Sequence, residues 1–341
     1  RNPAADLPVL ENVNDHGLRM YQRTETPHWR EVRTRRRNRR YEREGLDRTE
    51  YARDHFTGAS GGTIYSAALF PERYRGNLFT AEVAGNLVHR DLLTPHGATF
   101  LARRAPGEKD REFLSSTDPW FRPTSLKIGP DGALYLIDMY RQHVESPFSI
   151  PEDLKEQMDF YAGDDRGRIY RIAPVEAPNG ATSGPAGGDD EPRSGLSDDE
   201  PVAELPRNLT DASSADLADL LAHPNRWWRL TAQRLLVERQ DAEVVDKLRS
   251  MTAAHPRPRG RLHALYALEG LSALAPEVVA DRLDDPHPGV REHAVRLAER
   301  HEELVGDLAA RTNDPSVRVA FRLALSLGGH SGPAALDGLA D

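Results

Sequence analysis

The 341-residue chain has no cysteine. Disulfides, thiolate metal centres, a CxxCH haem attachment and a cysteine nucleophile are therefore excluded within it. It also lacks any apolar run of the ~18–20 residues that a membrane-spanning helix needs. Apolar residues are only 38% of the chain while glycine and proline are plentiful, a mixture that favours turns and a flexible segment over one dense core. Positive charge is in deficit, with 45 Lys and Arg against 54 Asp and Glu. A net −9 makes the whole chain a poor general nucleic-acid binder. The N-terminal Arg-Asn-Pro has neither an initiator methionine nor a signal-peptide pattern, so Arg1 is not expected to be the natural start.

What is present divides into three regions: 1–174, 175–206 and 207–341. The first reads as short strands, "GGTIYSAALF" (61–70), "GNLFTAEVAGNLVHRDLL" (76–93), "ATFLAR" (98–103) and "DRGRIYRIAP" (165–174), rich in β-branched and aromatic residues. "TSLKIGPDGALYLIDMY" adds two strands around Pro130-Asp131-Gly132, where proline presets φ and glycine tolerates the exit geometry. No long amphipathic helix is expected among them, only a short one near Pro151–Phe160. Strands in series with such turns suggest propeller blades. At roughly 40–50 residues per blade only three or four fit, fewer than most closed wheels use. The second region is Gly, Pro, Ser and acid with almost no large apolar residue, and reads as a disordered acidic linker. In the third, the period becomes helical. Ser213 and Asp216 form a capping-box pattern ahead of Leu217, Leu220 and Leu221. Val290, Ala294, Leu297 and Ala298 mark one apolar face, and Val317, Phe321, Ala324 and Leu325 repeat its spacing. The segments "HPNRWWR", "HPRPRGR", "DPHPGVR" and "DPSVR" place Pro224, Pro256, Pro286 and Pro315 at intervals of 32, 30 and 29. The fold class expected is thus multidomain β plus α: the C-terminal part of a β-propeller followed by an α-solenoid of HEAT-like helical repeats, itself expected to be truncated.

The stretches "YRGNLFTAEVAGNLVHRDLL", "EFLSSTDPWFRP", "GPDGALYLIDMYR", "SIPEDLK" and "DDRGRIYRI", with "RWWRLTAQRLL", "RLHALYALEGL" and "DPHPGVREHAVRLAE", resemble the membrane-bound dehydrogenases found widely in planctomycetes and their relatives. Those proteins join a glucose/sorbosone dehydrogenase-like propeller to HEAT-like repeats, often followed by a c-type haem domain. The resemblance implies an exported protein that oxidises sugars or alcohols in a propeller funnel. Electrons would leave to a haem domain or other acceptor outside this chain. More distantly, "DPWFRPTSLKIGPDGALYLID" is similar to the last blade of soluble quinoprotein sugar dehydrogenases, where two arginines contact the carboxylates of pyrroloquinoline quinone beside calcium. Arg122 matches the second of these arginines, Trp120 replaces the first, and a lysine expected in the preceding blade falls near Ala84.

The candidate sites follow. Arg122, with Trp120 as a stacking surface, either grips a cofactor carboxylate or bridges neighbouring blades while the tryptophan plugs the channel. His143 is the weak candidate for a catalytic base, in a stretch that also holds Asp138, Tyr140, Arg141 and Glu145; Asp138 reads as a structural carboxylate bonding backbone amides. His55 and His89 are the other histidines of note. The run from Gly58 to Gly62 permits close backbone approach without a dinucleotide-site context. No His/acid spacing argues for a metal. "REVRTRRRNRRYER" (30–43) is read as a solvated arm, with nucleic acid or anionic lipid the less favoured alternatives. Trp227 and Trp228 read as core, and a solenoid surface could take a protein partner. The competing function is a non-catalytic scaffold for proteins or polysaccharide.

Overall fold

The structure, a computed structural model, describes residues 19–156, 158–175 and 208–330, with 332, 335 and 338 beyond them. The expected linker therefore lies outside the described residues, except for Val175. The chain forms two compact units, residues 1–94 with 101–189, and 95–100 with 190–341. The antiparallel strands fall in the first unit, apart from the hairpin tip at 95–100, and the helices from Ser214 onward fall in the second. No helix among the described residues is long and apolar enough to cross a membrane.

In the first unit, β1 (Ala59–Ile64), β2 (Leu78–Glu82), β3 (Leu87–His96) and β4 (Thr99–Arg104) form one antiparallel sheet in that order, and β5 (Leu114–Ser115) pairs with β3. A second sheet runs β6 (Pro123–Ile128), β7 (Leu134–Asp138), β8 (Arg168–Ile172). The Pro130-Asp131-Gly132 turn connects β6 to β7; Gly132 takes φ +82° there, a conformation glycine adopts without a Cβ clash. Alternation along the strands sends Phe79, Ala81, Val88, Leu126, Leu134 and Leu136 into a core that also holds Tyr65, Phe70 and Phe121. Strand β1 lies against β6 of the second sheet. Thr63 Oγ1 donates to the Leu126 carbonyl at 2.7 Å and Ser60 Oγ to that of Thr124 at 3.0 Å. Gly61 makes this approach possible: at φ +60°, an added Cβ would lie 2.5 Å from Ser125 Cα.

One expectation fails in this unit. The Arg-rich stretch is not a solvated arm among strands but a 16-residue helix, α1 (His28–Arg43), with Arg33 and Thr34 buried. Its interior lacks proline and glycine and is rich in arginine, a good helix former. Its docked face carries tryptophan, arginine and threonine in place of aliphatic residues, so hydrophobic periodicity could not reveal it. The Asn38 side-chain amide locks it to the Glu50 main chain through two bonds at 2.9 Å, and Arg36 pairs with Asp153 through both Nη atoms. The short helix expected near 151–160 is one turn, α2 (Glu152–Lys155).

The second unit begins with α3 (Ser214–Leu220), entered through the expected Ser213/Asp216 capping box. It continues as α4 (Arg226–Arg239), α5 (Val245–Ala254), α6 (Pro258–Gly270), α7 (Pro276–Arg282), α8 (Pro288–Ala298), α9 (Val305–Ala309) and α10 (Val317–Leu327). The longer helices pack in sequence, α4 on α6, α6 on α8 and α8 on α10, while α3, α5 and α7 form a second row. A repeated device sits at each of the first three proline turns. Arg229 Nη1 bonds the carbonyls of His223 and Pro224, Arg261 Nη1 those of His255 and Pro256, and Arg291 Nη1 those of Asp285 and Pro286. The residue before each proline accepts the backbone N–H two positions on, through His223, His255, Asp285 and Asp314. Consecutive turns are then tied by bidentate pairs, Arg261 to Asp285 at 2.7 Å and Arg291 to Asp314 at 2.7 and 2.8 Å.

Val290, Ala294, Leu297 and Ala298 are buried as expected. The second face is not: Val317, Phe321 and Leu325 are about half exposed, and the buried residues of α10 are Val319, Leu323, Ser326 and Leu327. The 29-residue proline interval maps the buried face of α8 onto that second set. Trp228 packs against the core as expected.

Asp285 is fully buried and holds Arg261, Arg282 and a backbone amide. Replacing it with alanine leaves a buried guanidinium without its carboxylate, and should cost about 3–5 kcal/mol in urea unfolding. A loss under about 1 kcal/mol, the range of exposed pairs, would contradict a structural role for the ladder.

Candidate functional site

The loops around Arg122 gather most of the candidate residues. Asp138, at the end of β7, is 1% exposed, and its Oδ1 accepts from the amides of Arg122 (2.7 Å) and Tyr140 (2.9 Å). This is the structural bonding expected of it. Those two bonds hold Tyr140 at a left-handed φ of +50°, and turn the chain so that Trp120 and Tyr140 meet at 5.8 Å. Arg168 covers the Tyr140 ring at 3.9 Å.

Arg122 itself is 5% exposed. Its Nε donates to the Arg141 carbonyl (2.8 Å), Nη1 to Val83 (3.1 Å) and Nη2 to Gln142 (2.6 Å). The guanidinium thus joins the β2–β3 turn of one sheet to the segment after β7 of the other. Asn86 reinforces the link by donating to the carbonyls of Pro119 and Phe121. Burial first, and the nearby charge of Arg30 second, push the Arg122 pKa down to about 10, so it stays cationic at neutral pH. Ala84 lies in the clasped turn, its amide donating to Glu82.

His143 is flanked edge-on by Trp29 and tilted against Phe160. Its Nδ1 is buried without a hydrogen-bond partner, and burial followed by the charge of Arg122 lowers its pKa. It is a neutral imidazole at pH 7, with no carboxylate bonded to orient it. His55 is remote from this cluster in its bonding: it stacks on Tyr51 at 3.7 Å and meets the Arg53 carbonyl through Nδ1. Among the described residues no group of three or more His, Asp and Glu could hold a metal.

The sequence reading missed Glu82 and Glu112. Glu82 is fully buried at the end of β2 and accepts from the amides of Thr57, Gly58 and Ala84. Burial raises its pKa, with those amides opposing. Glu112 receives His89 Nδ1 (2.7 Å), Arg104 (2.6 Å) and the Tyr21 amide (2.8 Å), while His89 Nε2 meets Asp91 at 3.1 Å. Burial alone would lower the His89 pKa, but its two carboxylate partners outweigh that and raise it to about 9. No sequence motif marks the contacts of Glu112 with His89, Arg104 and Tyr21, or of Glu82 with Thr57 and Gly58, since those partners come from different strands and loops.

Residues 8–176 match the family of a domain of unknown function, DUF7133. The match ends four residues beyond the last strand, at Ile172. No curated protein matches the chain, and no solved structure matches it either.

The His89 geometry carries a pH prediction. A histidine whose pKa is higher in the folded than in the unfolded state stabilises fully below about 6.5, and that stabilisation is lost as pH rises through about 9. Wild-type stability should therefore fall between pH 6.5 and 9 by an amount on the order of 3 kcal/mol. His89→Gln should flatten this window in denaturant titrations. An unchanged slope in the variant would remove His89 as its source.

Proposed function

We propose that this chain is a non-catalytic binding scaffold, built of the C-terminal blades of a β-propeller and an α-solenoid of HEAT-like repeats, for partner proteins or polysaccharide. Two sequential antiparallel sheets sharing one core, with β1 set against β6, suit adjacent blades. Two rows of helices tied turn to turn by arginine–aspartate pairs suit a solenoid.

The observation that carries the reading is the bonding of Arg122. Three of its five N–H donors are already occupied by main-chain carbonyls, and the side chain is 5% exposed. Only two N–H donors remain, on a side chain closed off from solvent, so a cofactor carboxylate would reach them only by opening the loops that the other three hold together. Trp120 and Ala84 offer no cation in place of the two that quinoprotein sugar dehydrogenases place there. Pyrroloquinoline quinone with calcium therefore fits poorly at these residues.

One observation favours the second reading, a fragment of an exported sugar or alcohol dehydrogenase that passes electrons to a c-type haem domain or another acceptor. His143 Nδ1 has no hydrogen-bond partner and burial favours the neutral ring, the form a proton acceptor needs.

Dye reduction by the purified protein with added quinone and calcium, across a panel of sugars and alcohols, separates the two. The scaffold reading expects no turnover. It also expects Arg122→Ala to lower Tm by roughly 6–12 °C, from the loss of about 3 kcal/mol of charge-assisted bonding. Substrate-dependent reduction that Arg122→Ala abolishes at unchanged Tm would overturn it in favour of the dehydrogenase.

A further inference from the structure

Helix α1, the segment from Arg48 to Thr57, and Glu145 enclose a cavity of roughly 410 Å3. Four guanidinium groups line it, those of Arg30, Arg33, Arg37 and Arg48, against only two carboxylates. Glu145 meets Arg33 at 2.8 Å and Arg30 at 3.9 Å. Glu50 meets Arg37 at 3.2 Å and Arg48 at 3.4 Å, and also accepts the Tyr41 hydroxyl at 2.6 Å. Glu82 lies close enough to act on Arg30 electrostatically, but its carboxylate is already bonded to three backbone amides.

The lining is thus two positive charges in excess. Arg33 is 8% exposed, so more than nine-tenths buried, and its Nε has no hydrogen-bond partner. An unpartnered guanidinium nitrogen in a buried position is costly. The ring of Trp29 lies 5.0 Å from the Arg33 guanidinium and holds it in place, but supplies no acceptor. Mutual repulsion adds to the imbalance: burial first and the charge of Arg33 second lower the Arg30 pKa.

We propose that this cavity binds a phosphate monoester, whose dianionic head is held by Arg30, Arg33, Arg37 and Arg48. A single tetrahedral group carrying close to two negative charges matches the excess and offers three oxygens to guanidinium forks arriving from different directions. A dicarboxylate would place the same charge on two separated groups with fewer oxygens on each. The organic part has a flat wall available: Tyr51 is half exposed and stacked on His55, and both line the cavity. The volume falls within the range of small-molecule sites. A sugar phosphate or a nucleoside monophosphate satisfies these conditions. The site shares no residue with the Arg122 clamp, although the charge of Arg30 acts on Arg122, and it rests on neither the scaffold nor the dehydrogenase reading.

Isothermal titration of the full chain with glucose 6-phosphate, AMP, inorganic phosphate and succinate tests this. Saturable binding of at least one phosphate ester is expected, weakening as ionic strength rises. Arg37 and Arg48 are 37% and 64% exposed, so the Arg37→Gln/Arg48→Gln double variant should fold. It should bind the ester at least about tenfold more weakly. Tyr51→Ala should weaken ester binding while leaving inorganic phosphate unchanged. The assignment is overturned by an absence of ester binding at millimolar concentration, by equal affinity in a double variant of unchanged Tm, or by succinate binding as tightly as the esters.

Discussion

Buried and half-buried guanidinium groups bonded to main-chain carbonyls hold the loops of this cysteine-free chain in place. Arg122 ties together carbonyls on two sheets, and Arg229, Arg261 and Arg291 each close a proline turn. Arg239 gathers the carbonyls of Ala212, Leu209 and Thr210 ahead of α3, and Arg282 those of Thr252 and Ala253. The physical reason is common to all of them. A turn that leaves the regular hydrogen-bond pattern exposes carbonyls that need donors when buried, and arginine brings five donors and no acceptor on one planar group. A guanidinium carries its charge at neutral pH, so each bond is charge-assisted and strong. A proline turn cannot supply the missing donor from its own ring nitrogen, which explains why the arginine recurs five residues after three of the four prolines.

The same chemistry distinguishes structural arginines from those free to act. Where carbonyls take most of the donors, as at Arg122, the side chain is a cross-link and its burial is largely offset internally. Where several arginines share too few carboxylates, as around Glu50 and Glu145, an anion is the missing partner. The functional prospects of the strand-built unit therefore lie with α1 and less with the loop that holds Trp120 and Arg122. The helical unit contains no comparable imbalance in its ladder, where Asp285 and Asp314 meet their arginines through both carboxylate oxygens.

Much of the fold was legible in the sequence where local chemistry decides it. The Pro130-Asp131-Gly132 turn, the strands on either side of it, the Ser213/Asp216 cap and the proline intervals all depend on residues near one another in the chain. Helix α1 was not legible, because its buried side is made of Trp29, Arg33 and Thr34, and a hydrophobic period cannot register arginine as an inward-facing residue. Helix α10 failed differently. It carries two apolar stripes, and the one chosen by spacing, Val317 to Leu325, competes with the one that packs, Val319 to Leu327. Only alignment to the preceding repeat separates them. Arg122 could be identified as notable, yet its role depended on carbonyls up to 39 residues away, and no sequence pattern records where a carbonyl points. The carboxylates of Glu82 and Glu112 were hidden for the same reason.

The direct test of arginine as the cross-link is hydrogen–deuterium exchange on wild type and Arg122→Ala under native conditions. The account predicts that residues 83–86 and 139–143, on separate sheets but joined through one guanidinium, lose amide protection together, while the helices from α3 onward keep theirs. Protection unchanged in both segments, or lost in one alone, would contradict it.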